Sequence, residues 1–235
     1  MISVSLIDRC LLKKDHDRLL RELARNGLVM PLGLQARLSQ APIAVTALGL
    51  RRLTELTYGP TPQALRFTQQ LLDAQRADGH FNPQAPPHLV QDAPGVSPLA
   101  TAAAIAALHR VAQDLPDTNQ RRELENACRL AVEALAESQC DDGLFAEPAD
   151  QTHEDRLLTS AFIMYLLTTD ARFQELVDRT ALATHFARPS PQTHPETLQL
   201  WAMAQLTDAP IGGRTCYAWT YSQTETAAMS LPLAG

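Results

Sequence analysis

Basic and aromatic residues are in short supply in this chain. Its 20 lysines and arginines are outnumbered by 26 aspartates and glutamates, which leaves a net charge of -6. Because no dense Lys/Arg stripe offsets this balance, the charge argues against a nucleic-acid-binding protein. Aromatic residues make up only 5% of the sequence while leucine and alanine dominate, and this composition favours helices.

Closely spaced cysteines and long apolar runs are also absent. No C-x-x-C pair occurs among the four cysteines, which are Cys10, Cys128, Cys140 and Cys216. Buried or free thiols are therefore expected rather than disulfides. The longest strongly apolar run without charge, Leu157 to Thr169, is too short to span a bilayer. Asp8 and Arg9 interrupt the N-terminal apolar stretch, so no signal-peptide core is expected. These features predict a cytoplasmic protein with no membrane span.

One motif is present twice, 64 residues apart. Residues 75–81 (QRADGHF) and 139–145 (QCDDGLF) share the pattern Q-x-x-D-G-x-F. Each copy closes an amphipathic helical pattern, and a nearly charge-free helical pattern follows after a loop. A unit repeated at a fixed period cannot bury its apolar face alone and stacks on its neighbours. The repetition therefore predicts an array of helical hairpins.

The predicted helices fall into two classes. Charged amphipathic helices are expected at 62–76, 120–139 and 171–186. In the second of these, Glu125, Arg129 and Glu133 share one face and can form exposed ion pairs. Helices almost free of charge are expected at 41–50, 97–108, 157–169 and 197–206. Because a helix that is apolar on all sides must be enclosed by protein, this second class is expected to form an inner layer covered by the first.

Capping residues agree with this layout. Four predicted helix starts carry one: Thr61, Ser97, Thr152 and Thr193. The first two precede a proline at the first helical position, and the last two have capping-box-like spacing to Asp155 and Glu196. We predict a single all-α domain over 1–235. It comprises four outer–inner helix pairs (about 15–56, 62–113, 120–169 and 171–206) and an irregular segment at 207–235.

The doubled motif resembles the repeat of the terpenoid cyclase and protein prenyltransferase superfamily. The residues that carry the resemblance are Ala64, Leu71, Gln75, Asp78, Gly79 and Phe81 in the first copy, and Ala131, Leu135, Gln139, Asp142, Gly143 and Phe145 in the second. In that superfamily an outer helix ends in this turn and an inner helix follows. The resemblance therefore implies an α/α toroid over about 41–206. Four helix pairs are fewer than the six of a full ring, so a partial or abbreviated toroid is expected.

Other signatures seen in proteins with this repeat are missing. Class II cyclases carry a D-x-D-D acid motif, and the nearest run here, Asp141-Asp142, lies inside the second turn. The C-G-E-Q run of thioester domains is absent, as are an H-x-x-x-H pair and a phosphate-binding glycine loop. The resemblance thus implies a fold rather than a reaction. No metal and no cofactor are predicted.

Three polar clusters map to the loops that enter the predicted inner helices, at one mouth of such a toroid. They are the loop 78–96 with His80, His88 and Asp92, the segment His153, Glu154, Asp155 and Arg156, and His194 with Glu196 at the last helix. Because a histidine with a carboxylate can transfer protons, His153, Glu154 and His194 are the candidate catalytic residues.

The candidate ligand-binding residues combine polar rim groups with two aromatic side chains. They are His88, Asp92, Asp155, Arg156, Tyr165 and Trp201. Helix capping, solvation and core packing are the alternative explanation for every one of them, since carboxylates near a helix start also stabilise the helix.

Three functions fit these features. The first is a toroid that binds a small, largely apolar, isoprenoid-like molecule in its central cavity. The second is an enzyme that acts on isoprenoid or glycan substrates by acid/base chemistry at the rim. The third is a protein-interaction scaffold, which would present an exposed apolar patch on its outer face. No nucleic-acid partner is predicted, and the oligomeric state is left open.

Overall fold

The computed structural model describes residues 32–34, 38, 41–55, 61–83, 96–116, 118–187 and 190–205. In these ranges the chain is helical apart from the connecting turns, and the one extended pairing among them is an isolated bridge between Gln75 and Phe81. The α-helices are α1 (Pro42–Glu55), α2 (Pro62–Ala74), α3 (Pro98–Asp114), α4 (Asn119–Glu137), α5 (His153–Leu166), α6 (Ala171–Glu175), α7 (Arg179–Ala187) and α8 (Pro195–Gln205). Short 3₁₀ helices occupy Leu32–Leu34 and Leu167–Thr169. The predicted all-α class is confirmed.

The helices of the two predicted classes, inner and outer, contact one another, and their arrangement as a toroid stays a prediction. In the inner layer α1 contacts α3, α3 contacts α5, and α5 contacts α8. Outer helix α2 contacts α1 and α3, and outer helix α4 contacts α3. Within the described part of the chain, no helix has both the length and the apolar character needed to cross a membrane.

The inner helices are enclosed by protein. Helix α3 buries every residue from Pro98 to His109, and α5 buries every residue from Leu157 to Leu166. Outer helix α4 is wet on one side, where Arg129 and Glu133 form an exposed ion pair with an N–O distance of 2.7 Å. The ion pair of α4 thus lies on its exposed side, whereas the buried stretches of α3 and α5 carry no Asp, Glu, Lys or Arg.

The first copy of the repeated turn is held by side chains that bond to the backbone. Gly79 has a φ of 89°, which is the left-handed conformation that glycine adopts most easily. The Asp78 carboxylate accepts a hydrogen bond from the His80 N–H at 3.1 Å. The Phe81 N–H donates to the Thr101 hydroxyl on α3 at 3.2 Å, which ties the turn to the inner helix.

The second copy repeats this geometry at equivalent residues. Gly143 has a φ of 83°, and the Asp142 carboxylate accepts from the Leu144 N–H at 3.1 Å. The Phe145 N–H donates to the Ser160 hydroxyl on α5 at 2.9 Å. The two turns are therefore structural repeats as well as sequence repeats.

The glutamine that both turns share bonds to the backbone of the next outer element. The Gln75 amide donates to the Gly79 carbonyl in its own turn at 3.2 Å and to the Ala127 carbonyl in α4 at 2.9 Å. The Gln139 amide makes the same two contacts, to the Gly143 carbonyl and to the Asp178 carbonyl at 3.1 Å. These glutamines therefore join consecutive hairpins.

The outer helix predicted over 171–186 is wrong, because it is broken between α6 and α7. The Asp178 N–H donates to the Gln139 carboxamide oxygen at 2.8 Å, so this backbone group is taken out of helical hydrogen bonding. The Asp178 carboxylate then accepts from the Ala181 N–H at 2.9 Å and caps α7. A contact with a residue 39 positions away thus decides the break.

Four capping predictions have different outcomes. Thr61 and Ser97 accept from backbone N–H groups three residues later, as expected. Thr152 forms a capping box at the start of α5. The capping box predicted for Thr193 and Glu196 is wrong, because α8 begins at Pro195 and His194 rather than Thr193 precedes it; the Thr193 hydroxyl donates to Glu154 on α5. At the start of α8 the His194 Nδ1 accepts from the Glu196 N–H at 3.3 Å.

Most of the predicted first helix pair at 15–56 lies outside the described residues, which there include α1 and the 3₁₀ helix Leu32–Leu34. The irregular segment predicted at 207–235 lies wholly outside them. Large apolar side chains that are at least a third exposed in the described ranges are Leu65, Leu130 and Leu176. They lie on three different outer elements, and the scaffold hypothesis stays a prediction.

Replacing Gly143 with alanine is expected to lower the free energy of unfolding by more than about 1–2 kcal/mol. That range is the cost of a left-handed backbone for an L residue. A methyl group at this position would also overlap the side chain of Ala181 on α7. Urea denaturation followed by circular dichroism measures the change.

Ala77→Ser, at an exposed position in the first turn, is the control and should change stability by less than about 0.5 kcal/mol. Equal stability of Gly143→Ala and this control would contradict the left-handed turn.

Candidate functional site

The start of α5 carries four of the residues that the sequence singles out. Thr152 caps this helix, and its hydroxyl accepts from the Asp155 N–H at 3.1 Å. The Asp155 carboxylate accepts in return from the Thr152 N–H at 3.0 Å. Asp155 is therefore engaged in capping the start of the helix, which is the alternative explanation given for it above.

Arg156 faces the second turn rather than a neighbouring inner helix. Its guanidinium donates to the Asp142 carboxylate at 2.8 Å. Partial burial acts to raise the pKa of the Asp142 carboxyl, but hydrogen bonds from Arg156 and from the Leu144 N–H together lower it. The positive guanidinium and the negative carboxylate offset each other, so this pair adds little net charge near the start of α5.

His153 lies next to a histidine that the sequence analysis did not select. The ring centroids of His153 and His185, which is on α7, are 5.4 Å apart. The Nε2 of His185 is 2.8 Å from the Asp142 carbonyl oxygen and donates to it when it carries the proton. The second turn, α5 and α7 therefore meet in one polar cluster, formed by Asp142, His153, Arg156 and His185.

Glu154 points in another direction, toward the loop before α8. Its Oε1 accepts a hydrogen bond of 3.3 Å from the buried Thr193 hydroxyl. Its Oε2 is buried and has no hydrogen-bond partner among the described residues. A buried carboxylate oxygen without a donor costs folding free energy. Among the four candidate residues at the start of α5, Glu154 is therefore the one whose position is least explained by a structural role.

His194 follows Thr193 but is exposed. Its Nδ1 lies 3.7 Å from a Glu196 carboxylate oxygen and accepts from the Glu196 N–H. Since the Thr193 hydroxyl contacts Glu154, the structure brings His194 into the neighbourhood of Glu154. His153 is turned about 100° away from Glu154 around the same helix, toward α7.

The two aromatic candidates lie elsewhere. Tyr165 is near the far end of α5, about 16 Å along the helix from Glu154, and its ring lies under the Arg51 guanidinium at 5.7 Å. Trp201 stacks on Phe186 of α7 with a centroid distance of 4.3 Å, so it packs an inner helix against an outer one. His88 and Asp92 lie outside the described residues. The candidates therefore occupy several places rather than one cleft, and their roles stay predictions.

A carboxylate that the sequence analysis missed closes the start of α3. Glu147 accepts hydrogen bonds from the Ser97 hydroxyl at 2.9 Å and from the Leu99 N–H at 2.7 Å. The positive end of the helix dipole stabilises a negative charge there. No local sequence signal reveals this contact, because Glu147 and Ser97 are 50 positions apart.

A second polar cluster lies at the opposite end of the inner layer. The Nε2 of His109 on α3 is 3.6 Å from the Asp170 carboxylate and 3.0 Å from the Gln113 amide. The His109 ring packs edge-on against Phe173. Burial lowers the pKa of His109 and outweighs the opposing effect of Asp170.

Metal ligation and cysteine chemistry find little support in the described ranges. They contain no group of three or more His, Cys, Asp or Glu side chains placed to hold a metal ion. Cys128 and Cys140 are free thiols. Burial raises the pKa of Cys128 to about 12, so this thiol stays protonated and unreactive.

Comparisons of this chain with protein-family models, with curated proteins and with solved structures find no match.

Replacing Thr193 with valine is expected to reduce the free energy of unfolding by about 1 kcal/mol, because the partly buried Glu154 carboxylate loses its donor. Adding Glu154→Met should restore that loss, since an apolar pair of similar shape leaves no buried acceptor unpaired. Urea denaturation of the wild type, both single variants and the double variant gives the coupling between the two residues. A further loss of stability in the double variant would show that Glu154 stabilises the fold.

Replacing His109 with glutamine is expected to weaken the loss of stability between pH 7 and pH 5. The unfolded imidazole takes up a proton near pH 6.5, whereas the buried one resists it to lower pH. The unfolded state therefore binds more protons in this window, and acid favours unfolding. Urea midpoints at several pH values measure the slope. His194→Gln, at an exposed position, should keep the wild-type slope, and an unchanged slope in His109→Gln would contradict the prediction.

Proposed function

We propose that this chain is an α/α toroid protein of the terpenoid cyclase and prenyltransferase type that binds a small, largely apolar, isoprenoid-like molecule. The observation that carries the proposal is the equivalence of the two turns. Each one positions an inner helix through a hydroxyl, Thr101 on α3 and Ser160 on α5, and binds the next outer helix through its glutamine. Repeated hairpins joined in this way, with inner helices side by side, are what a toroid requires.

The ligand class follows from the character of the inner layer. Over Pro98–Leu108 and Leu157–Leu166 the inner helices present no charged side chain, and most of their surface is alanine, leucine and other apolar residues. A site formed between such helices gains affinity from apolar contact and offers few polar groups to fix a sugar or a phosphate. The polar groups lie at the helix ends, where the head of an elongated apolar molecule would reach them.

A photoreactive farnesol analogue tests the proposal. We expect it to bind at a ratio of one per chain in native mass spectrometry and to crosslink within α3, α5 or α8. Unlabelled farnesol should compete, and a glucose oligomer should not. Crosslinks confined to the outer helices α2 and α4, or no saturable binding, would contradict it.

A second candidate is an enzyme that acts on an isoprenoid or glycan substrate by acid/base chemistry at the start of α5. The observation that favours it is the buried Glu154 Oε2, which has no donor in the described part of the chain. Binding sites and active sites keep such destabilising groups when function needs them. The fate of the probe separates the two candidates, because a binding protein releases it unchanged and an enzyme releases a product of altered mass.

A further inference from the structure

The two copies of the turn differ at one buried position. The residue between the glycine and the phenylalanine is His80 in the first copy and Leu144 in the second. Leu144 is fully buried, and the His80 residue is only 9% exposed. The same slot in the fold therefore holds an apolar side chain in one repeat and a titratable one in the other.

The His80 ring is poorly matched to this slot. Its Nδ1 is buried and has no hydrogen-bond partner among the residues that the structure describes. A buried polar atom without a partner costs folding free energy, and a charged ring in the same place costs more. Burial accordingly lowers the pKa of His80.

Charged groups face His80 from its own turn and from α4. Asp78 in the turn and Glu137 in the last turn of α4 favour the protonated ring, while Arg76 opposes it. Asp78 is itself paired with Arg76, with an N–O distance of 2.8 Å. Burial outweighs the two carboxylates and keeps the pKa of the enclosed ring below its usual value, so protonation favours conformations in which the ring is in water.

The turn that holds His80 is also the contact between the first hairpin and the second. Gly79 lies so close to α4 that an added methyl group would overlap the Leu130 carbonyl. The Gln75 amide donates to the Ala127 carbonyl of the same helix. His80 follows Gly79 directly in the chain, so its ring is attached to the backbone of this packed contact.

We propose that the first turn is an acid-sensitive latch between the first and second hairpins, with His80 as the group that opens it. Below neutral pH the protonated imidazole favours conformations in which the ring reaches water, and the turn then leaves α4. The second turn carries Leu144 in the same slot. Its neighbouring histidine, His185 on α7, lies outside that slot and bonds to the Asp142 carbonyl, to which a protonated imidazole can still donate, so acid has no buried ring to release there. Acid therefore opens the contact between the first turn and α4, whereas the contact between the second turn and α7 stays closed.

Hydrogen exchange of the whole chain at pH 8 and pH 5.5 tests this latch. The reporters are backbone N–H groups whose hydrogen bonds close each turn. In the first turn they are Arg76, which donates to His80, and Gly79, which donates to Arg76; in the second they are Cys140 and Gly143. After correction for the intrinsic pH dependence of exchange, we expect the opening equilibrium of the first turn to rise at low pH. The rise is limited to roughly tenfold per pH unit, the effect of one proton, and the second turn should not change.

Two reciprocal variants assign the effect to the one slot. His80→Leu should abolish the acid-induced opening of the first turn, and Leu144→His should create one in the second. If Leu144→His does not fold, His80→Leu decides alone. Equal acid-induced opening in the wild type and His80→Leu, or equal opening of both turns in the wild type, would overturn the proposal.

Discussion

The contact on which the rest of the structure depends is a glutamine carboxamide that closes its own turn and reaches the next outer helix. Gln75 does this for the first hairpin and Gln139 for the second. A single helical hairpin leaves one face of its inner helix uncovered, so its apolar residues are buried only when a neighbour is held beside it. The two glutamines join successive turns to successive outer elements and so hold the hairpins beside one another, which encloses the stretches of α3 and α5 that carry no Asp, Glu, Lys or Arg.

An interior built in this way restricts where chemistry can occur. Unpaired charges are costly in an apolar layer, so titratable groups collect where the inner helices end. Glu154 and His153 lie at the start of α5, whereas His109 lies near the end of α3. A ligand held along the inner helices would have its polar atoms near one of these two ends, which links the proposed binding function to the rim residues.

Most features that depend on neighbours in sequence were predictable. The doubled turn, the caps at Thr61, Ser97 and Thr152, and the wet and enclosed helix classes all follow from interactions within a few residues. The two predictions that were wrong, the continuous helix over 171–186 and the Thr193 capping box, share a different cause. The break at Asp178 depends on Gln139, and the Thr193 hydroxyl bonds to Glu154 while His194 precedes α8, each of the two bonds joining residues 39 positions apart. Periodicity carries no information about a hydrogen bond of that sequence separation, so an uninterrupted helix and a capping box were the natural expectations.

The same distinction between local and long-range interactions applies to the candidate site. Local patterns were enough to show that His153, Glu154, Asp155 and Arg156 open an inner helix and that Asp155 could serve as its cap. Only the packing of α5 against its neighbours decided what each side chain meets: Arg156 meets Asp142, His153 meets His185, and Glu154 meets Thr193. Consecutive residues on a helix point about 100° apart, and the identity of the element on each side is set by how the hairpins stack, which is a property of the assembled array and of no single segment.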